Sequence, residues 1–320
     1  MTGALILENL RNPALLFFLL GVLAVRVKST LNIPETSAKF ISLYLLFSIG
    51  FRGGQELSHS EFTPEMFITL GVGLLSSMLI PVLLFQLLVR KFDRSTAAAT
   101  AASYGSVSAV TFVTAAAFLE LKGLHFGGHM VALMAMMEAP AIVVGLLLFK
   151  RKSSEGELSA NFGTLLAHSV TNGSVFLLLG SMLIGWFTSE SHAQGIAPFT
   201  TELFKGFLVL FLLDMGIQSG RYLQQFLKNG LFALVVSLAV PLFIGTLIAY
   251  TSQYFMVEPG NRLLLTVLCA SASYIAVPAA MKNALPNANP GIYTSMALGI
   301  TFPVNIVIGI PLYFAIIEML

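Results

Sequence analysis

Charge is what this chain has least of. Asp, Glu, Lys and Arg make up 10% of its 320 residues, while 56% are hydrophobic and the mean hydropathy is +0.86. That balance excludes an ordinary water-soluble domain. Cysteine is almost missing too. Cys269 stands alone, which rules out an internal disulfide and argues against a thiolate metal site. Polar gaps never exceed about a dozen residues, too short for a soluble domain. No glycine-rich phosphate loop, nucleic-acid patch or nucleophile–base constellation appears, so an enzyme is not expected. His59, His125, His129 and His192 lie at segment ends or in loops without ligand spacing. His168 lies inside an apolar stretch, where a lone histidine most often packs against a carbonyl. The first apolar run leads straight into more of the same and lacks a small-residue cleavage site, which argues against a cleaved leader.

What is present is a series of apolar runs of about 20 residues, each long enough to cross a bilayer. About ten are expected, an all-α polytopic membrane protein. They are Asn12–Arg26, Ile33–Phe51, Pro64–Val89, Ser95–Glu120, Gly128–Phe149, Asn161–Phe187, Leu203–Gly220, Asn229–Phe255, Asn261–Leu285 and Pro290–Glu318. The second closes in Gly50-Phe51-Arg52-Gly53-Gly54. A polar loop, Lys150–Ser159, follows the fifth. Basic residues then set the orientation. Leaving aside Lys39 and Lys205 near segment starts, one side collects Arg26, Lys28, Arg90, Lys91, Arg94, Lys150, Arg151, Lys152, Arg221, Lys228 and Lys282; the other collects Arg11, Arg52, Lys122 and Arg262. By the positive-inside rule the richer side is cytoplasmic, and both termini are external.

The second half echoes the first. Lys39 to Gly54 reads KFISLYLLFSIGFRGG and Lys205 to Gly220 reads KGFLVLFLLDMGIQSG, aligning Gly50 with Gly216 and Gly54 with Gly220 without a gap. Asn12 answers Asn172, Pro81 answers Pro241, and Ala139-Pro140 answers Phe302-Pro303. Five segments per copy is an odd number, so the copies insert with opposite orientation, the inverted-repeat plan of secondary transporters. The expected division is residues 1–152, a cytoplasmic linker at 153–160, and residues 161–320.

Segment 4 is the odd one out. STAAATAASYGSVSAVTFVTAAAFLE carries almost no large aliphatic side chain before Val107. A helix of small residues needs close protein neighbours rather than lipid, and Tyr104-Gly105-Ser106-Val107-Ser108 is a poor place for an unbroken helix. Aligning the repeats sets Ala109-Val110-Thr111 against Ala276-Val277-Pro278 of segment 9, LCASASYIAVPAAMKNALPN, with its own small residues and a proline. Two broken helices that cross would bring two half-helix N-termini to the bilayer centre, where free N–H groups favour an anion. The preceding half-helices would offer carbonyls to a cation. The hydroxyls of Ser103, Ser106, Ser108, Thr111, Ser271 and Ser273 suit either ion, or bond back to their own helices.

Glu138 lies near the middle of segment 5, where an ionised carboxylate must be paired, cation-bound or protonated. It is expected as a cation ligand or a proton carrier. Its counterpart Thr301, with Asn305 one turn on, offers neutral oxygens, and one carboxylate balances one Na⁺. Asp214 in segment 7 is either a second ligand or a partner for Gln218 or an arginine.

These residues resemble the sodium-dependent bicarbonate transporter family, the SbtA-type permeases. The resemblance runs through Gly105–Ser108 and Thr111, Met137-Glu138-Ala139-Pro140-Ala141, Ser271-Ala272-Ser273, Pro278, Pro286-Asn287-Ala288-Asn289-Pro290, Tyr293 and Gly299–Pro303. It implies Na⁺-coupled bicarbonate uptake across a bacterial inner membrane by a trimer. It also implies a gate domain of segments 1, 2, 6 and 7 rocking against a core of segments 3, 4, 5, 8, 9 and 10. A small PII-type regulator binds better-known members through a longer loop than Lys150–Ser159. Substrate is then expected at Gly105, Ser106, Ser108, Ala109, Val110, Thr111, Ser273, Tyr274, Ala276 and Val277. The cation is expected at Ser103, Glu138, Ser271, Thr301 and Asn305. The chain departs from the family where Tyr274 replaces an Asp, Ala276-Val277 a Ser-Gly pair and Ala109-Val110 a Gly-Ser pair, which makes the crossing more apolar. Two other readings of the residues are a cation/proton antiporter, with Glu138 as the proton carrier, and a non-transporting sensor that keeps the fold.

Overall fold

A computed structural model describes residues 11–150, 173–226 and 230–320, with Asn283 by its backbone alone. Every regular element among these residues is helical. The linker, Arg151, Lys152, His168, Asn172 and Lys228 lie outside the described residues.

The helices are α1 Pro13–Arg26, α2 Glu35–Ser58, α3 Pro64–Leu88, α4 Arg94–Gly105, α5 Ala109–Leu121, α6 His129–Lys150, α7 Gly173–Phe187, α8 Glu190–Ala197, α9 Leu203–Phe226, α10 Gly230–Thr251, α11 Pro259–Cys269, α12 Ala276–Ala284 and α13 Pro290–Glu318. Six spans among the described residues are long and apolar enough to cross a membrane: Pro64–Leu88, Arg94–Leu121, His129–Lys150, Glu190–Phe226, Gly230–Tyr254 and Pro290–Glu318. α1 and α7 are apolar but shorter.

Local chemistry sets the helix starts. Asn12, Thr63 and Asp93 accept from main-chain N–H groups two or three residues on, and prolines stand in the first turns of α1, α3, α11 and α13, where a missing N–H costs nothing. Two outcomes differ from the sequence pattern. α2 does not close at Gly50–Gly54 but runs on to Ser58, because Gly50 and Gly54 meet neighbouring backbone, and Gly53 the Val131 side chain, rather than solvent. A Cβ on Gly54 would lie 2.0 Å from the Met182 carbonyl oxygen. And α9 is preceded by α8, joined to it through a π-helical turn at Pro198–Glu202.

Packing explains the composition. α1 lies along α9 and α2 along α7, each pair closing through glycines. α3, α4 and α6 form a second group, joined by α11, α12 and α13. In segment 4, 83% of the apolar window is buried, against 33% in α3 and 28% in α10. Ala97, Ala98, Ala99, Ala101 and Ala102 have no exposed surface at all. Large side chains such as Leu75, Leu79, Leu83, Phe243 and Leu247 point outward from α3 and α10 instead, as lipid-facing helices require.

Candidate functional site

Segment 4 breaks where its small residues end. α4 stops at Gly105, Ser106 turns to extended backbone (φ −85°, ψ 178°), and α5 starts after Ser108, whose hydroxyl accepts from Thr111 N at 3.2 Å. Gly105 cannot carry a side chain, since its Cβ would lie 2.1 Å from the Pro81 ring of α3. Segment 9 breaks between Cys269 and Ala276. Pro278 is not in that break but in the first turn of α12, where the N–H it lacks would have had no intrahelical acceptor. Ser273 Oγ accepts from Val277 N at 3.3 Å, repeating the role of Ser108.

The two breaks are sewn to each other. Ser273 N donates to Ser103 O at 2.8 Å, and the Ser103 hydroxyl donates back to Ser273 O. Ser108 N donates to Ser271 Oγ at 2.9 Å, while Ser271 donates to Leu268 O at 3.0 Å. Asn305 Nδ2 donates to Ala270 O at 2.8 Å and its Oδ1 accepts from Tyr313 at 3.2 Å. Thr301 donates to Ser237 O at 2.9 Å and shares a 2.7 Å hydrogen bond with Tyr104. Both residues flank Phe302-Pro303-Val304 between π-helical turns at Ser295–Thr301 and Asn305–Gly309. Proline cannot complete a regular i to i−4 ladder, and wide turns of this kind collect at functional positions.

A cleft of about 740 Å³, counted out to its mouth, runs beside the breaks. α2, α7 and α9 form one wall, with Leu45, Leu46, Leu178 and Phe211; Val107–Val110, Glu138 and Ser273–Ala276 form the other. Of the residues expected at the substrate, Ser108, Ala109, Val110, Ser273, Tyr274 and Ala276 line it. Gly105, Ser106, Thr111 and Val277 are buried behind that surface. Ser106 Oγ reaches Glu138 O at 3.5 Å. Thr111 Oγ1 is buried without a hydrogen-bond partner among the described residues.

The residues expected at the cation divide. Ser103, Ser271 and Asn305 hold the breaks, Thr301 sits beyond Tyr104, and Glu138 faces the cleft. No hydrogen bond or ion pair engages the Glu138 carboxylate among the described residues. Asp214 is buried and accepts from Gln218 at 2.6 Å, the second of its two expected roles. Tyr274 reaches across the cleft. Its hydroxyl lies 3.7 Å from Met215 Sδ of α9 and its ring meets Phe302 edge-on at 5.5 Å.

The arrangement therefore offers two helix N-termini, short hydroxyls and the Glu138 carboxylate on a single cleft. The family model of the Na⁺-dependent bicarbonate transporter superfamily matches residues 13–318. The chain belongs to this superfamily. Comparison with curated proteins finds no matching sequence. Membership in a transporter superfamily, together with the apolar spans, makes the chain a membrane protein, and its class is that of transporters rather than enzymes. The superfamily match covers both breaks and the cleft. It also covers parts of the wall that the residues alone did not single out: Ser42, Leu45 and Leu46 on α2 and Val175 and Leu178 on α7. Their signal in the sequence was indirect, the glycine stripe that holds these two helices together.

Proposed function

We propose that the chain is a secondary transporter that couples the inward flow of Na⁺ to uptake of bicarbonate or a similar small oxyanion by alternating access. The observation that carries this is the convergence of the N-termini of α5 and α12 on the cleft that Glu138 also faces. The first N–H groups of a helix have no intrahelical acceptor. Thr111 N and Val277 N are taken by Ser108 and Ser273, and the N–H groups of Ala109, Val110 and Ala276 remain for an oxyanion. Two positive helix ends add to their pull. Glu138 supplies the charge for Na⁺. The oxygens of Ser103, Ser271, Thr301 and Asn305 complete its surroundings when the ion displaces their present hydrogen bonds.

The inverted repeat draws support from packing. The spacing from Asn12 to Asn172 also separates Phe18 from Leu178, and the spacing from Gly50 to Gly216 also separates Gly54 from Gly220. A Cβ on Gly50 would strike the Leu178 carbonyl, and one on Gly216 the Phe18 carbonyl. Gly54 lies against the Met182 carbonyl, whereas Gly220 lies against the Val25 side chain, with the Val22 carbonyl oxygen at 3.4 Å. One rule thus describes the Gly50 and Gly216 contacts. On this reading segments 1, 2, 6 and 7 form the gate and the remaining six the core. Three copies assemble in a bacterial inner membrane with external termini.

Purified protein in vesicles carrying a pH dye tests the coupling. With symport, added Na⁺ changes the luminal pH only when bicarbonate is present. A Na⁺-driven pH change without any transported anion would establish antiport instead. Labelled bicarbonate that binds without crossing would establish a sensor.

A further inference from the structure

The cleft does not end at Leu46 and Val113. One turn further along the same two helices, Ile49, Arg52 and Gly53 of α2 and Ala116 and Glu120 of α5 enclose a second cavity of about 500 Å³. A third cavity shares Glu56, His125 and Phe126 with it and is lined by Glu61, His129 and Glu258 beyond. The cleft and the second cavity thus follow one seam between α2 and α5, and the third continues it past the end of α5, between α2 and the residues around His125–His129.

The seam is closed at one level. The Arg52 guanidinium donates through Nη2 to the Glu120 carboxylate, and its carbon sits 5.7 Å above the ring of Phe204 in α9. The side chains are 28% and 18% exposed, so solvent screens this pair less than a surface one. Arg52 Nη1 is buried and unpaired, which leaves Glu120 as the guanidinium's one hydrogen-bonded partner among the described residues. Beside the pair the backbones touch, since a Cβ on Gly128 would lie 1.9 Å from Gly53 O.

We propose that Arg52 and Glu120 form the latch of the end opposite the cleft: an ion pair joining the α2 unit to the α5 unit, closed while the cleft is open and broken when the seam opens to admit substrate. This rests on the proposed transport cycle, but its chemistry stands on the seam alone. An ion pair is a suitable latch because it is directional and reversible, and water can replace each partner when the halves separate.

Thiol labelling reads the latch without any transport. Ala116, buried in the second cavity, is replaced by cysteine, and a membrane-impermeant maleimide is applied from that side. The native Cys269 is buried elsewhere and serves as an unfolding monitor. Glu120→Gln and Arg52→Gln should each raise the rate of labelling at position 116 about three- to tenfold, a shift in the closed-to-open ratio. The exchange Arg52→Glu with Glu120→Arg should bring it back towards the native rate. If a single variant also exposes Cys269, Arg52→Lys replaces it, and a smaller rise is expected because the ammonium keeps the charge without the fork. Unchanged labelling in the single variants, or an exchanged pair that labels as fast as they do, overturns the latch. Because labelling needs neither Na⁺ nor an oxyanion, Na⁺-driven uptake with unchanged labelling would remove the latch alone. Latched labelling with no uptake of any oxyanion would remove the transport reading alone.

Discussion

Gly216→Ala is the sharpest test of how the paired helices are built. The new Cβ would lie 2.0 Å from the Phe18 carbonyl oxygen and 2.9 Å from its carbon. Carbon and oxygen approach to about 3.3 Å, so α1 and α9 must part by about 1.3 Å at that level. Backbone cannot rotate away as a side chain does. The neighbouring Gly21 is nearly as tight, 2.3 Å from Leu213 O, so the strain spreads along the pair. Overpacking of this size costs about 1–3 kcal/mol, offset in part by the roughly 1 kcal/mol that alanine gains over glycine as a helix former. The repeat predicts the same sign at Gly50, where the shortfall is smaller at 2.6 Å from Leu178 O. Gly71 and Gly206 are controls, with nothing within 4 Å. Thermal unfolding of detergent-solubilised protein should show a lower midpoint for Gly216→Ala and Gly50→Ala, and none for Gly71→Ala or Gly206→Ala. If Gly216→Ala were as stable as Gly206→Ala, the close pairing of α1 and α9 would be wrong.

Glu138→Gln keeps the volume and removes the charge. A charge-assisted contact is worth about 1.5–3 kcal/mol, so the Na⁺ concentration for half-maximal uptake should rise about tenfold or more; an unchanged Na⁺ requirement would take Glu138 out of the cation site. Tyr274→Ala removes the ring that spans the cleft, and competition assays should then show pyruvate gaining on bicarbonate, whereas Tyr274→Phe should leave the preference as it was. Asn305→Leu strands the Ala270 carbonyl in a buried break. It should cost about 1–3 kcal/mol, seen as a lower unfolding midpoint, and a neutral result would mean that the segment 9 break does not depend on that hydrogen bond.

Much of this was legible in the residues, and for identifiable reasons. Segment 4 could be read because a run of alanine and serine is unsuited to lipid, and its burial follows. Its break could be read because Gly105 and three nearby serines favour extended or capped backbone over helix. Segment 9 was harder. A proline ordinarily marks a break, yet Pro278 sits just after it, in a first turn that tolerates it; the break belongs to the Ser271–Ser273 run. Gly50–Gly54 looked like a helix end because glycine weakens an isolated helix, but neighbouring backbone at van der Waals distance compensates. The α2 and α7 wall of the cleft was not legible, since Leu45, Leu46 and Leu178 are chemically indistinguishable from lipid-facing leucines. Nor was the Arg52–Glu120 pair, whose members are 68 residues apart and carry no mutual pattern in the chain.

On the proposed reading the cleft moves an oxyanion on the energy of Na⁺. Uptake of labelled bicarbonate into proteoliposomes, with and without an inward Na⁺ gradient, addresses it directly, with acetate and pyruvate run alongside. Accumulation of bicarbonate above equilibrium that collapses when the Na⁺ gradient is dissipated is the expected result. Uptake of none of the three anions, or uptake indifferent to Na⁺, would contradict it.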